Sequence, residues 1–581
     1  MANYYWVGGN ATWDATAGSK WATTSGGTTY YSTPPTSSDV VYINAASGSV
    51  TVTIGSGTAI CSGLIMTGFT GVLAFGTNSI EIAGTGIIYG QCYIGDTTYS
   101  ITGTPVINFT YSGSVSRLVY PGNVTEANAI SLNVTAGTGF YSIAGNVKNL
   151  NYTGYSGQCL DSAFTIYGNL TCSSTMSWAG GTNTITFAAT SGTQVITTNG
   201  KAPQQNISIN GVGTTVQLAD DYTNVVTWSL YISNGTFDAN NKNVTFASVV
   251  LGVGTKTLIM GSGTWTLAGT GYVWNMYANN SGLTFSGASA PIVLSDTSTT
   301  ARTFVTGTSL SYNSLTIGGT TGTSTLTISG TGSTFTTIAS TKTVAHTIQI
   351  GSSIFVSNWT AKGTAGNVLT INNGTITKNG GGVISNLNYL SIQGSTVAPA
   401  STWYAGSNST DAGFNSGWIF SGNYADTVTE NAGLTDVKTT TWAATANVVE
   451  NTTLTDNPIG KWNTSAAITE TVTVLDSPTG FWVTNSVITE LMTLADTYIN
   501  NTAFASAISE NAGLTDIKTT TWNALANTTE NITVQESANP TLIYNVSNIE
   551  NINLLHASDG YAWLKVDNTE STIWVQIDNR Q

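Results

Sequence analysis

Eight glutamates, Glu430, Glu450, Glu470, Glu490, Glu510, Glu530, Glu550 and Glu570, fall at an unbroken spacing of twenty residues. Six positions after the first six come Asp436, Asp456, Asp476, Asp496, Asp516 and Glu536, and twelve positions after come Trp442, Trp462, Trp482 and Trp522. An apolar residue holds the fourth position: Leu434, Leu454, Val474, Leu494, Leu514, Val534 and Leu554. Chance does not keep such a register, so residues 421–555 read as an array of about seven copies of one supersecondary unit, each burying its apolar face on the next. Because twenty is even, the landmarks share one parity: an unbroken strand would turn Trp462 to Asp476 to one face and Thr469, Thr471 and Thr473 to the other. Strands rarely exceed about ten residues, which predicts two strands per unit with a break near the Glu.

The carboxylates are the puzzle of the array, because they share the parity of its apolar residues. Stacked one unit per coil, identical carboxylates would lie about 4.8 Å apart and repel by about 1 kcal/mol per pair even in water. The ladder of Glu430, Glu450, Glu470, Glu490, Glu510, Asp436, Asp456, Asp476, Asp496 and Asp516 is expected to be structural, solvated or capping backbone N–H groups at a corner. Ca²⁺ is the alternative occupant, and a trimer with three chains sharing the core would avoid the repulsion. No other cofactor or metal is expected.

Residues 46–420 carry short apolar strands punctuated by Gly, Ser, Asn and Thr, such as Ile207-Ser208-Ile209-Asn210-Gly211 and Leu369-Thr370-Ile371-Asn372-Asn373-Gly374. No helical period persists. The expected fold is all-β: a β-solenoid or parallel β-helix-like body followed by a repetitive β shaft, with a β-sandwich array as the competing arrangement. Residues 1–45, with Trp6, Trp13 and Trp21, read as an N-terminal cap and residues 556–581 as a C-terminal tip. Charge follows the division. Residues 1–420 hold 10 basic and 11 acidic side chains, whereas 421–581 hold 5 and 18.

With a net charge of -14 and no basic run, the chain lacks the basic face that nucleic acid requires. An unbroken apolar run of the length that predicts membrane insertion is absent, and the N-terminal stretch has neither the basic n-region nor the apolar h-region of a cleaved export signal. Cys61, Cys92, Cys159 and Cys172 form no CxxC pair, so buried free thiols are expected rather than a metal site or a disulfide framework.

Two phrases carry a resemblance. The opening, Trp6-Val7-Gly8-Gly9 with Thr12-Trp13-Asp14, is similar to the start of passenger-like β-helix proteins of bacteria and tailed phages. The stretch Thr402-Trp403-Tyr404-Ala405-Gly406-Ser407-Asn408-Ser409-Thr410-Asp411, closing on Asn415-Ser416-Gly417-Trp418, resembles one found in virion proteins of tailed bacteriophages. The resemblance implies a structural protein on the virion surface, a tail fibre or spike for host attachment. Its implied partners are further copies of itself, favouring a trimer, other virion proteins and a host-surface glycan. A capsid decoration fibre and a bacterial surface adhesin are the neighbouring readings.

Catalysis has little to work with. His346 and His556 are far apart in the chain, which disfavours a histidine triad, and no phosphate-loop signature occurs. The enzymatic rival is a glycan-cleaving tailspike, which needs two carboxylates on one face. Asp220 and Asp221, with Asp161 and Asp238 as partners, are its candidates, yet neighbours on a strand point to opposite faces. No catalytic residue is expected, and exposed aromatics such as Tyr30 and Tyr31 or Trp403 and Tyr404 are read as core or cap.

Overall fold

Short alternating runs such as Leu326-Thr327-Ile328 and Ile348-Gln349-Ile350 can bury one face only if another strand lies alongside and a second sheet lies beneath. A computed structural model describes residues 1–420 except 58, 85–91, 95–97, 225–226, 277–279, 320–321, 385 and 401, and from 421 to 581 the backbone of the strands. The chain divides into two compact units, Met1–Trp418 and Ile419–Gln581. Among the described residues both are built of strands, with no α-helix.

The first unit is a β-solenoid of about 16 turns. Its coils stack as parallel strands, so each interior position becomes a column. One runs Val41, Leu64, Cys92, Val119 and Ile143. Another runs Phe164, Ile185, Ile207, Leu230, Val249, Trp274, Phe304, Ile328 and Ile350. All these side chains are buried, and each contributes about 1.5–3 kcal/mol over its exposed state. The intervening residues face outward and are mostly Thr, Ser, Asn and Gln. Coil length varies: the step along the chain from Tyr141 to its partner Cys159 is much shorter than the step from Trp274 to its partner Phe304.

Asn-Gly and Gly, expected to end strands, do not always do so. Asn206–Leu218 runs through Asn210-Gly211, and Ser229–Asp238 runs through Asn234-Gly235. The pairing shifts register there instead. A parallel coil turns its corner at a left-handed glycine, Gly213 at φ 84° and Gly235 at φ 81°, and the next coil follows the same bend, so hydrogen bonding resumes beyond it.

Each unit closes one of its ends by reversing strand direction. In the first, Asn3–Trp6 pairs in parallel with Val40–Asn44 but antiparallel with Trp21–Ala22. Beneath lies a plug of three buried indoles: Trp21 meets Trp6 edge-on at 5.0 Å and Trp13 at 5.4 Å. In the second, Ser571–Asp578 pairs antiparallel with Tyr561–Asn568. A free parallel edge would template further chains.

In the second unit strands pair at an offset of twenty. Trp442, Trp462 and Trp482 are consecutive partners in one sheet, and Leu434, Leu454, Val474 and Leu494 in the other. Each coil has two strands, as Lys461–Ile468 and Thr471–Asp476 illustrate. The two belong to different sheets, so Trp462 and Asp476 do not share the face of one unbroken strand.

Candidate functional site

The four carboxylates considered for glycan cleavage are all built into the hydrogen bonding of the coils. Asp220 and Asp221 sit in the loop between Asn206–Leu218 and Tyr222–Thr223. With Gly200, Ala219, Thr223 and Lys242 they line an open groove of about 470 Å³. The Asp220 carboxylate accepts the backbone N–H groups of Thr198 at 2.7 Å and Asn199 at 2.6 Å, on the preceding coil. Asp221 accepts from Asn243 on the following coil, backbone N at 2.9 Å and Nδ2 at 3.0 Å. One carboxylate therefore secures the coil before it and its neighbour the coil after it. The Asn243 side chain and backbone hydrogen bonds hold the Asp221 pKa below the usual carboxylate range. A glycosidase acid needs the opposite shift, to keep its proton near neutrality.

Asp161 and Asp238 do not line this groove. Asp161 accepts from Asn183, backbone N at 3.2 Å and Nδ2 at 3.0 Å, and from Gln205 Nε2. Asp238 accepts from Gln217 Nε2 at 2.8 Å and from the Asn240 N–H at 2.8 Å. The same device continues with neutral residues that the sequence treats only as turn formers: Asn243 Oδ1 accepts the Thr264 N–H at 3.0 Å, and Asn241 Oδ1 that of Ser262 at 3.1 Å. Their partners lie about one coil ahead, a distance that an irregular coil length hides from the sequence.

Buried cations show a second pattern. Lys256 donates to the carbonyls of Gly254 at 2.7 Å and Ser281 at 2.9 Å, and Lys378 to those of Gly380 and Gly381. Arg302, Lys342 and His346, all buried, share one corner. Arg302 donates to Ser324 Oγ at 2.6 Å and Lys342 to the Gly322 carbonyl at 3.0 Å. His346 has Nε2 2.7 Å from Ser340 Oγ and Nδ1 2.8 Å from the Val344 carbonyl. Corner carbonyls and hydroxyls thus replace carboxylates as the hydrogen-bond partners of these cations.

Burial pushes the His346 pKa below its ordinary value of 6.5, and the positive charges of Lys342 and Arg302 push the same way against the Val344 carbonyl. Asp296 is the acid beside Arg302 and Lys342. Below pH 6.5 the unfolded chain takes up a proton that folded His346 refuses, so stability falls as pH drops until the lowered folded pKa is reached. Thermal melts followed from neutral to mildly acidic pH are expected to show this decline. His346→Gln, which cannot titrate, should flatten it; an unchanged slope would mean that other groups carry it.

The outer surface of the first coils bears aromatic rings in register. Tyr5 stacks on Tyr42 at 4.6 Å and 18°, and Tyr93 on Tyr120 at 5.2 Å and 27°. All four are half-buried, and the stacked partners cover each other's faces. Of the other aromatics named from sequence, Tyr31 stacks on Tyr4 at 4.0 Å and Tyr30 is exposed. Trp403 is core, packed against Trp359 and Trp418. The four cysteines are buried free thiols. Burial raises the Cys92 and Cys159 pKa values to about 12, which makes both poor nucleophiles.

Of the acidic ladder in the array, Asp436, Asp456, Asp476, Asp496 and Asp516 are consecutive partners in one parallel sheet. Their side chains, and Glu430, Glu450, Glu470, Glu490 and Glu510 altogether, lie outside the described residues. Among the described residues no cluster of three or more His, Cys, Asp or Glu side chains could hold a metal ion. No protein-family model matches the chain, and neither a curated protein nor a solved structure matches it.

Proposed function

We propose that this chain is a structural, non-enzymatic virion protein of a tailed phage, a fibre or spike-like appendage that adheres to host-surface glycans as a homotrimer. The observation that carries the reading is the employment of Asp161, Asp220, Asp221 and Asp238 as hydrogen-bond acceptors between coils. The acids a depolymerase would need are committed to holding the solenoid together. What remains toward solvent is a periodic surface of hydroxyls, amides and tyrosine edges, suited to many weak contacts that gain strength by repetition.

The test is binding of the labelled full chain to intact bacteria of the phage's host range, with isolated surface polysaccharide as competitor. Saturable binding that the polysaccharide displaces is expected. Absence of binding to every host surface would overturn the adhesive reading.

A further inference from the structure

One outward strip carries a column of amide side chains that, among the described residues, make no hydrogen bond from coil to coil. On much of the surface, outward amides and acids bond from coil to coil: Asn133 Nδ2 donates to Asn108 Oδ1 at 3.0 Å, Asn234 Nδ2 to Asn210 Oδ1 at 2.8 Å, and Gln217 Nε2 to Asp238 at 2.8 Å. Along the strands His346–Ile350, Leu369–Asn372 and Leu390–Gln393 the amides make no such bond, although Asn388, just before the last of them, accepts the Asn408 N–H of the next coil at 2.9 Å. His346–Ile350, Leu369–Asn372 and Leu390–Gln393 pair in register, so that Thr347, Thr370 and Ser391 form a hydroxyl column. Two positions farther along each strand, Gln349, Asn372 and Gln393 form a parallel amide column. The residues between the columns, Ile348, Ile371 and Ile392, are buried, so both columns lie on the outer face. None of the six side chains makes a hydrogen bond among the described residues, and Asn372 Oδ1 is covered and lacks a donor.

We propose that this strip binds a neutral, extended polysaccharide laid along the solenoid axis, about one sugar ring per coil. The proposal rests on the adhesive reading above and names its site and ligand class. Three observations select the ligand. Neither column contains a charged residue, so nothing favours an anionic or cationic partner. Amides and hydroxyls supply both donors and acceptors, the complement of sugar hydroxyls. The columns repeat with the strand spacing of about 4.8 Å, close to the advance per ring of an extended, equatorially linked glycan. A second copy of the chain is a poor occupant, since a lasting interface between copies has an apolar core and the two columns are polar throughout.

The test is calorimetric titration of the full chain with cello-oligosaccharides of two to six rings, maltohexaose as a coiled isomer, and an extended anionic oligogalacturonate. Affinity should rise at least about tenfold from two rings to the number that spans the strip, as contacts add along one chain. Maltohexaose and oligogalacturonate should bind more weakly. The double variant Gln349→Ala/Asn372→Ala should weaken cellohexaose by about tenfold or more, the loss expected for two hydrogen-bonding side chains, with unchanged far-ultraviolet dichroism. Should that variant fail to fold, Gln393→Ala, at the exposed end of the amide column, is to show a smaller loss of the same sign. No binding of cello-oligosaccharides, no length dependence, preference for the anionic ligand, or indifference to both variants would overturn the assignment. So would a double variant whose mass in solution drops, since the strip would then be a contact between copies. Cell binding by the wild type that survives the double variant would reject this strip while leaving the adhesive reading standing.

Discussion

Replacement of Trp274 by alanine is expected to destabilise the first unit by about 3–5 kcal/mol, the range for removing a fully buried aromatic. Trp274 is fully buried, stacks on Phe304 at 5.5 Å and 4°, and meets Trp265 and Tyr312 edge-on. Its Nε1 donates to Tyr312 Oη at 3.2 Å, and that hydroxyl donates to the Thr306 carbonyl at 2.7 Å. The loss therefore includes a cavity and a disturbed buried hydrogen-bond chain. In a solenoid each coil touches only its neighbours, so the damage should be local. Amide exchange is expected to accelerate in the flanking strands Ser248–Leu251 and Arg302–Thr308, with little change in Val40–Asn44 and Gly63–Thr67. Uniform acceleration through Met1–Trp418 would mean that the unit unfolds as one body and that nearest-neighbour stacking does not describe it.

Gly145→Ala is expected to be strongly destabilising for so small a substitution. Gly145 has φ 128°, and a Cβ there would lie 2.6 Å from the carbonyl oxygen of Gly122. Gly122, itself at φ 83°, is its partner on the preceding coil. The obstacle is backbone, which cannot rotate away, so the coils must separate at that corner. Backbone strain of about 1–3 kcal/mol then adds to about 1–3 kcal/mol of overpacking. Gly192→Ala supplies the comparison: φ is 82°, but nothing lies within 4 Å of the added Cβ, so it should carry the strain alone. Urea denaturation of both variants measures the difference. Equal losses would show that coil-to-coil approach at Gly145 is not what demands glycine.

These two positions also show what the sequence could and could not convey. The alternation of a strand such as Leu369–Asn372 is readable, because apolar residues between outward polar ones mark a buried face wherever the strand lies; Trp274 breaks that pattern, following the equally buried Val273 at a register shift. The twenty-residue register of the array is readable too, since equal spacing fixes which residues become partners: Leu434 and Leu454 pair as their spacing requires. In the first unit the offset between partners changes from coil to coil, as the pairs Tyr141–Cys159 and Trp274–Phe304 show. Nothing local in Asp220 or Asp221 reveals that one faces Thr198 and the other Asn243. Buried cations are hidden similarly. Lys256 looks like a surface residue until the Ser281 carbonyl of the next coil comes within 2.9 Å of its Nζ. The strip at Gln349 and Asn372 is legible only once the coils are aligned, because only then do its amides stand in one column without the coil-to-coil bonds that Asn108 and Asn133 or Asn210 and Asn234 make.

The central claim, adhesion by a solenoid whose acids are structural, is tested most directly by the chain length of the polysaccharide it binds. Host surface polysaccharide incubated with the full chain and sized by gel filtration is expected to co-elute with the protein and to be recovered at its original length. Asp220→Asn and Asp221→Asn should lower the melting temperature without changing that length. Progressive shortening by the wild type that either substitution abolishes would contradict the account and make the groove beside Asp220 and Asp221 an active site.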